Sequence, residues 1–335
     1  MKKIFLILGL VLSMFLLSSC TKLDNITESE EEEEILEHVF SSLSGLKTSE
    51  DRIKERPVAI MFDNHPNARW QSGLSDAELV YEFKVEHPYT RYMGIYLIGE
   101  PELLGPIRSS RPYFVTTLLE YDSIYVRAGG SQEAEKKIKE LNISDINGVS
   151  DSMEYFWRES STGKESPHNL YTSMEFIRKA EKEKGYNKQN NFQGFRFNEE
   201  IIAIDGFDVN NIEIKYNKSN TTKYVFDKGK GNYTRYKDGE LHIDESNEEP
   251  IIATNIIIQQ VNSNVTDEEG RLDMTLIGEG NGIFITQGKG MFITWEKESI
   301  SEKTYFYDDL GEELKLNPGT TWIQVTDIDP DLIIN

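Results

Sequence analysis

Between residues 56 and 184 the apolar positions change period again and again. Residues 58–62 form a short unbroken apolar run behind a proline, the pattern of a strand buried on both faces. Residues 80–85 and 92–98 are rich in β-branched and aromatic side chains and predict two more strands. Ahead of them, residues 73–79 predict one helical turn with Ser75 as its N-cap. Helical spacing returns at residues 112–121, where Pro112 suits the first turn. A strand at 123–128 ends in Gly129-Gly130, and Ser131 then caps a helix running to Leu141. That helix places Glu133 and Glu135 early and Lys136, Lys137 and Lys139 late, as its dipole favours. A further helix over 173–184 stops at Gly185. Strands alternating with helices predict an α/β domain with a central sheet over residues 56–205.

After residue 205 the helical period disappears. Short alternating runs at 211–216, 223–226, 232–236 and 241–243 lead to a long β-branched run at 251–261. Six more runs follow, at 272–277, 282–286, 291–296, 304–307, 313–316 and 321–325. Closely spaced short strands with Gly and Asp-Gly turns predict an all-β sandwich or barrel-like domain over 206–330. The run Gly278-Glu279-Gly280-Asn281-Gly282 imitates a dinucleotide fingerprint, but no helix follows it, so it reads as a hairpin turn. Trp295 and Trp322 read as core.

The first twenty residues change the picture of where this fold works. Lys2 and Lys3 precede a 14-residue apolar stretch from Ile4 to Leu17, and Ser18-Ser19 lead into Cys20, the single cysteine. A spanning helix needs ~20 apolar residues; a charged start, a shorter apolar middle and a small-residue cleavage site predict a secretory signal over 1–19. A cysteine at the cleavage point resembles a bacterial lipobox, whose thiol takes a diacylglyceryl group and whose chain carries acyl groups such as palmitate. Cys20 is then the lipidation site and no thiol is left for catalysis or metal binding. Residues 20–55, with the run Glu30 to Glu34, predict an acidic flexible tether. The net charge is −22, and losing Lys2 and Lys3 with the signal brings it near −24. Such a charge excludes nucleic acid, whose phosphates need clustered Lys and Arg.

Candidate chemistry gathers in four stretches of the first half: 62–69, 105–112, 127–131 and 166–171. Each lies where a predicted strand ends or a helix begins, and ligands of α/β folds bind at the carboxyl ends of strands. Arg108, Ser109 and Arg111 stand just before the helix at Pro112, and Arg127 precedes Gly129-Gly130-Ser131 at the next helix start. Guanidiniums match carboxylate and phosphate, so Arg108, Ser109, Arg111, Arg127 and Ser131 form a candidate anion site. The competing reading pairs these arginines with acids such as Glu78, Glu82 or Glu120. Asp63, Asp76 and His168 are the catalytic candidates, with His65 and Asn169 beside them. Glu82 and Glu86 allow paired-carboxylate chemistry. No His-x-x-x-His zinc spacing and no Gly-x-Ser-x-Gly elbow occur, so no metal and no cofactor are expected.

Several blocks resemble the YerB-type lipoproteins of Gram-positive bacteria, a two-domain family of unknown function. They are Arg56-Pro57-Val58-Ala59-Ile60-Met61-Phe62-Asp63-Asn64, Gln71-Ser72-Gly73-Leu74-Ser75-Asp76-Ala77, Thr90-Arg91, residues 105–113, residues 128–131 and Pro167-His168-Asn169-Leu170-Tyr171. In the second half they are Thr294-Trp295 and residues 317–323. Where that family carries Glu-Gly-Gly before Thr-Arg, this chain has Glu86-His87-Pro88-Tyr89. The resemblance implies an envelope location and two domains, but no reaction. The order Asp76, strand, strand, Arg108-Ser109-Ser110-Arg111 is also similar to cell-wall glycopolymer transferases of the LytR–CpsA–Psr type, which hold a polyprenyl pyrophosphate with arginines.

Together these readings predict a lipid-anchored protein outside the cytoplasm that binds a ligand or partner: a cell-wall glycan, another anion or an envelope protein. The alternative is an enzyme acting on cell-wall glycopolymer or its polyprenyl-(pyro)phosphate precursor. A third reading makes the all-β half a module that docks a membrane enzyme.

Overall fold

The run at 58–62 is apolar throughout because its strand, Val58–Asp63, is buried at all six positions. It lies inside a large sheet that the computed structural model builds from both halves of the chain, among the described residues 39–335 apart from residue 152. Val58–Asp63 runs antiparallel to Thr90–Tyr96, which runs antiparallel to Leu79–Lys84. On its other side it pairs in parallel with Ile124–Arg127, which pairs in parallel with Asp145–Asn147. Asp63 stands opposite Arg91, and Val58 opposite Tyr96.

The second half does not close into a separate sandwich or barrel. Thr321–Thr326 pairs in parallel with Leu79–Lys84, and Asn255–Gln260, Gly278–Thr286 and Lys289–Lys297 continue the same sheet. Others of its strands, Asn211–Asn217, Asn220–Asp227, Asn232–Lys237 and Asp331–Ile334, make a second sheet. Chain contacts accordingly gather residues 38–335 into one unit, with no break at 205–206. The expected single run at 251–261 divides at Thr254: Ile252–Ala253 joins the second sheet and Asn255–Gln260 the first. Ile256, Ile257 and Ile258 are all fully buried, so this strand needs cover on both faces, which a half-exposed sheet edge cannot give.

Strand parity sorts the core into two layers. Val58, Ile60, Phe62, Tyr92, Ile256 and Trp322 pack with Ile212, Ile214 and Tyr224 of the second sheet. Ala59, Met61, Phe83, Met93 and Ile323 pack on the opposite face, with Phe114 and Leu118 of Pro112–Leu118 and Ile138 of Gln132–Glu140. The Ser131 hydroxyl accepts from the Ala134 amide, and Ser173 caps Met174–Glu183 through Phe176.

Three local expectations are corrected. The turn Leu74–Asp76 is a 3-10 turn preceded by Gly73 in the left-handed region, so Ser75 is not its cap. Gly278–Gly282 is not a turn: it opens the strand Gly278–Thr286, and a Cβ at Gly280 would lie 2.6 Å from the Trp295 indole. The hairpin turn falls later, at Gln287-Gly288, both with positive φ. Residues 39–55, expected inside the tether, are folded: Leu43 is fully buried, and the Ser41 and Ser44 hydroxyls donate to Glu78. The expected signal, Cys20 and the tether up to residue 38 lie outside the described residues.

Candidate functional site

The four stretches converge at the carboxyl end of Val58–Asp63. Ile107 bridges Phe62, and the Arg108 amide donates to the Met61 carbonyl at 2.9 Å. The Ile107 amide donates to Leu170, which brings in the 166–171 loop. Ser110 bridges Gly130, and the Ala128 amide donates to the Arg108 carbonyl, which ties in the next helix start. Loops meet here because neighbouring parallel strands end together, the usual origin of a crevice in α/β sheets.

Asp63 is the centre of this meeting. Its Oδ1 accepts from the His65 amide at 3.0 Å, and its Oδ2 pairs with His168 Nδ1 at 2.8 Å and Arg108 Nε at 3.2 Å. The Asp63 side chain is 4% exposed, against 14% for His168 and 28% for Arg108. The terminal nitrogens of Arg108 and the Nε2 of His168 meet no acceptor or donor among the described residues. His65 stacks on His168 with ring centroids 4.4 Å apart and tilts against Tyr89. Burial, then the nearby His168, lower the pKa of His65, whose Nδ1 accepts from the Asn67 amide.

Beside Asp63 stands a pair of arginines around one acid. Arg111 Nε donates to Glu86, and Arg91 lies 3.6 Å from the same carboxylate while donating to the Ser109 carbonyl at 2.8 Å. Burial, then the positive charge of Arg111, push the Arg91 pKa down to about 10. Burial alone would raise Glu86; the hydrogen bond from Arg111 and the charge of Arg91 hold it below the usual carboxylate range. Three arginines thus share two carboxylates in a chain that is strongly acidic overall.

The remaining candidates fall elsewhere. Arg127 is 2% exposed and forked between Glu135 and Asp145, at 2.7–3.0 Å for Asp145 Oδ2 and Glu135 Oε2. Burial opposes its charge, but the hydrogen bonds to Asp145 and Glu135 outweigh it and raise its pKa. Ser131 spends its hydroxyl on the helix cap. Asp76 precedes Leu79, which pairs with Ile95, so it lies at the opposite end of the strands from Asp63. Asn169 is used structurally, donating to the Lys164 carbonyl. The arginines do pair with acids, but with Asp63, Glu86, Glu135 and Asp145 rather than Glu78, Glu82 or Glu120.

Glu82 belongs to a second network on the other face of the same sheet. Its carboxylate takes Arg235, Lys237 at 3.0 Å, Thr90 at 2.7 Å and Thr222 at 3.0 Å, and all three charged side chains are fully buried. Arg235 lies 4.3 Å from the Trp322 ring and donates to His242 Nδ1. His242 Nε2 then donates to Gln71, whose amide nitrogen donates to the Asp63 carbonyl at 2.8 Å. Gln71, and Asn64 through Thr90, therefore join the two networks. Arg91 stood in the sequence only as part of the Thr90-Arg91 block, and Arg235, Lys237 and His242 carried no motif; the alternation of Arg235 and Lys237 along Asn232–Lys237 was the available signal. Among the described residues, no group of three or more His, Cys, Asp or Glu could hold a metal ion, and no helix is long and apolar enough to cross a membrane.

A mixed sheet shared by two sequence halves has its counterpart among known structures. The N-terminal domain model of a protein family of unknown function, DUF3048, matches residues 43–187, and the C-terminal domain model matches 212–323. The chain belongs to this family, the YerB-type proteins. A Bacillus subtilis (strain 168) relative named "Putative lipoprotein YerB" is 33% identical over 337 residues, covering 99% of this chain and 97% of the relative. The crystal structure of YerB protein from Bacillus subtilis matches with a TM-score of 0.80, covering 88% of this chain and 99% of that one.

Proposed function

We propose that this protein is an extracytoplasmic lipoprotein that binds an anionic ligand at the Asp63–Arg108 cluster. In this reading residues 1–19 are a signal, Cys20 carries the lipid, and the acidic stretch to residue 38 is the stalk. The α/β half, 56–205, presents the ligand site, and the all-β half, 206–330, backs its sheet. The lipobox pattern and the name of the Bacillus relative support the anchor.

One observation carries the binding reading: Arg108 keeps only its Nε against Asp63 and leaves both terminal nitrogens free beside Arg91 and Arg111. A guanidinium with an open fork suits phosphate or carboxylate. The test is calorimetric titration of the purified protein with inorganic pyrophosphate. Binding that weakens tenfold or more in Arg108→Ala supports the reading, and no heat of binding in the unaltered protein sinks it. The anchor is tested separately, since Cys20→Ser should move the protein from the detergent phase to the aqueous phase in a cloud-point partition.

The enzyme reading rests on a different observation, the His168 Nδ1–Asp63 pair at 2.8 Å that leaves Nε2 without a partner among the described residues. A carboxylate that orients a histidine in this way equips it as a general base. Phosphate release from a polyprenyl-pyrophosphate-linked glycan, lost in His168→Gln, would favour it over simple binding.

A further inference from the structure

The far edge of the large sheet carries a second site with different chemistry. Its outer strand, Lys289–Lys297, is covered by two short strands that leave a gap. Phe207–Asp208 pairs with Gly290 and Lys289, and Tyr305–Tyr307 pairs with Thr294 to Glu296. Met291, Phe292 and Ile293 pair on their inner side alone, with Phe284, Ile283 and Gly282. At ~3.4 Å per residue, this leaves ~10 Å of unpaired strand edge. A cavity of about 970 Å³ opens over the gap.

The walls of that cavity combine apolar surface and uncompensated acid. Phe292, Leu310 and Ile202 are 69%, 83% and 49% exposed, the kind of cluster that marks an interaction surface when contiguous. Asp205, Asp308, Asp309 and Glu312 line the same space, and none forms an ion pair among the described residues. Two bases also line it: Arg196, which lies 3.8 Å from Glu313, and Lys315.

We infer that this groove docks an extended, basic segment of another envelope protein, which pairs its backbone with Met291–Ile293 and sets lysine or arginine beside Asp309 and Glu312. An open edge supplies the backbone groups for strand addition. The acid lining selects for positive charge, and a net charge of −22 disfavours a second copy of this chain as the occupant. The site is separate from the arginine cluster and asks for the opposite charge.

The probe is a labelled ten-residue peptide alternating lysine and valine, followed by fluorescence anisotropy on the full-length protein in detergent. A glutamate–valine peptide and a lysine–proline peptide, which lacks alternate backbone N–H donors, are the comparisons. The lysine–valine peptide should bind at least tenfold more tightly than either. Asp309→Asn with Glu312→Gln should weaken it about fivefold, and Phe292→Lys about tenfold, with circular dichroism unchanged because all three positions are at the surface. Glu248→Gln with Glu249→Gln removes as much charge away from the groove and should change little. Equal binding of all three peptides, absence of binding, or an equal loss in the Glu248/Glu249 variant overturns the inference. So does sedimentation showing a dimer that Phe292→Lys dissolves, which would give the groove to a second copy.

Discussion

Glu82 and Asp63 lie two strands apart in one sheet, and each belongs to a network with an arginine and a histidine, yet their surroundings make them opposites. Around Glu82 the charged and hydroxyl groups are all paired: Arg235, Lys237, Thr90, Thr222 and His242 close on one another without exposed charge, and the Trp322 indole N–H beside them is the donor left unpaired. Around Asp63 the contacts are incomplete: Arg108 Nε lies 3.2 Å from the carboxylate without a hydrogen bond, and the outer nitrogens of Arg108 and Nε2 of His168 meet no partner among the described residues. A buried network that is fully satisfied fixes how two sheets pack. A half-buried one with open donors can offer them to a ligand. The face of the strand decides between them, since Glu82 points between the two sheets and Asp63 ends its strand where the loops meet.

The largest expected effect tests the closed side. Glu82→Ala strands Arg235 and Lys237 in the interior without their counter-charge and should cost about 3–5 kcal/mol in urea unfolding. Asp63→Ala should cost less than half as much, because Arg108 and His168 are partly exposed and can turn to water. Equal losses in the two variants would erase the distinction.

The same network predicts how stability follows pH. Burial, then the charge of Arg235, hold His242 well below its ordinary value of 6.5. The unfolded chain therefore takes up a proton there that the folded one refuses, and stability falls as pH drops below about 6.5. Glu82 is held down to about 2: burial opposes its charge, but Lys237 and Arg235 outweigh burial. Its contribution is present above pH 4.5 and is lost as pH falls toward 2. Burial lowers Lys237 to about 8 from 10.5, so the folded state sheds its proton first and stability rises with pH across that interval. Melting temperatures from pH 4 to 10 should show both slopes, and His242→Gln should flatten the one below 6.5. An unchanged slope would pass the effect to His65, which is lowered in the same direction.

Arg127 and Arg108 sharpen the comparison at a smaller scale. Arg127→Ala leaves Asp145 and Glu135 without their shared fork and should cost about 1–3 kcal/mol of stability while changing pyrophosphate binding less than twofold. Arg108→Ala should do the reverse, within about 0.5 kcal/mol in stability but tenfold or more in binding. If both variants lose only stability, the open cluster is structural too.

Much of this was legible in the residue pattern. The strands of the first half follow from β-branched and aromatic runs, and the helices at Pro112, Ser131 and Ser173 follow from proline and serine starts. The convergence of 62–69, 105–112, 127–131 and 166–171 follows from their shared position at strand ends. Partnership was not legible, because it depends on parity and on contacts far apart in the chain. Arg91 reaches Glu86 only once a hairpin turns the chain back, and Arg235 reaches Glu82 across 153 residues. The joining of the two halves was hidden for the same reason: a parallel pair such as Thr321–Thr326 with Leu79–Lys84 leaves no turn signal between its strands. Leu43 looked like part of a stalk because one apolar residue among serines carries no period.

Ser131 gives the finest test of the line between scaffold and site. It stands at a helix start beside the arginine cluster, where a hydroxyl suits a bound anion as well as it suits a cap. Its oxygen accepts from the Ala134 amide at 3.2 Å, and the backbone at Ser131 is extended, as a capping residue requires. Ser131→Ala should therefore cost about 1 kcal/mol of stability. Ser131→Asp should restore that loss, since aspartate caps equally well and its charge favours the helix start. Neither change should alter the pyrophosphate affinity of the protein. An affinity that falls with Ser131→Ala while the melting temperature holds would move the hydroxyl from the helix to the ligand, and the edge of the open cluster with it.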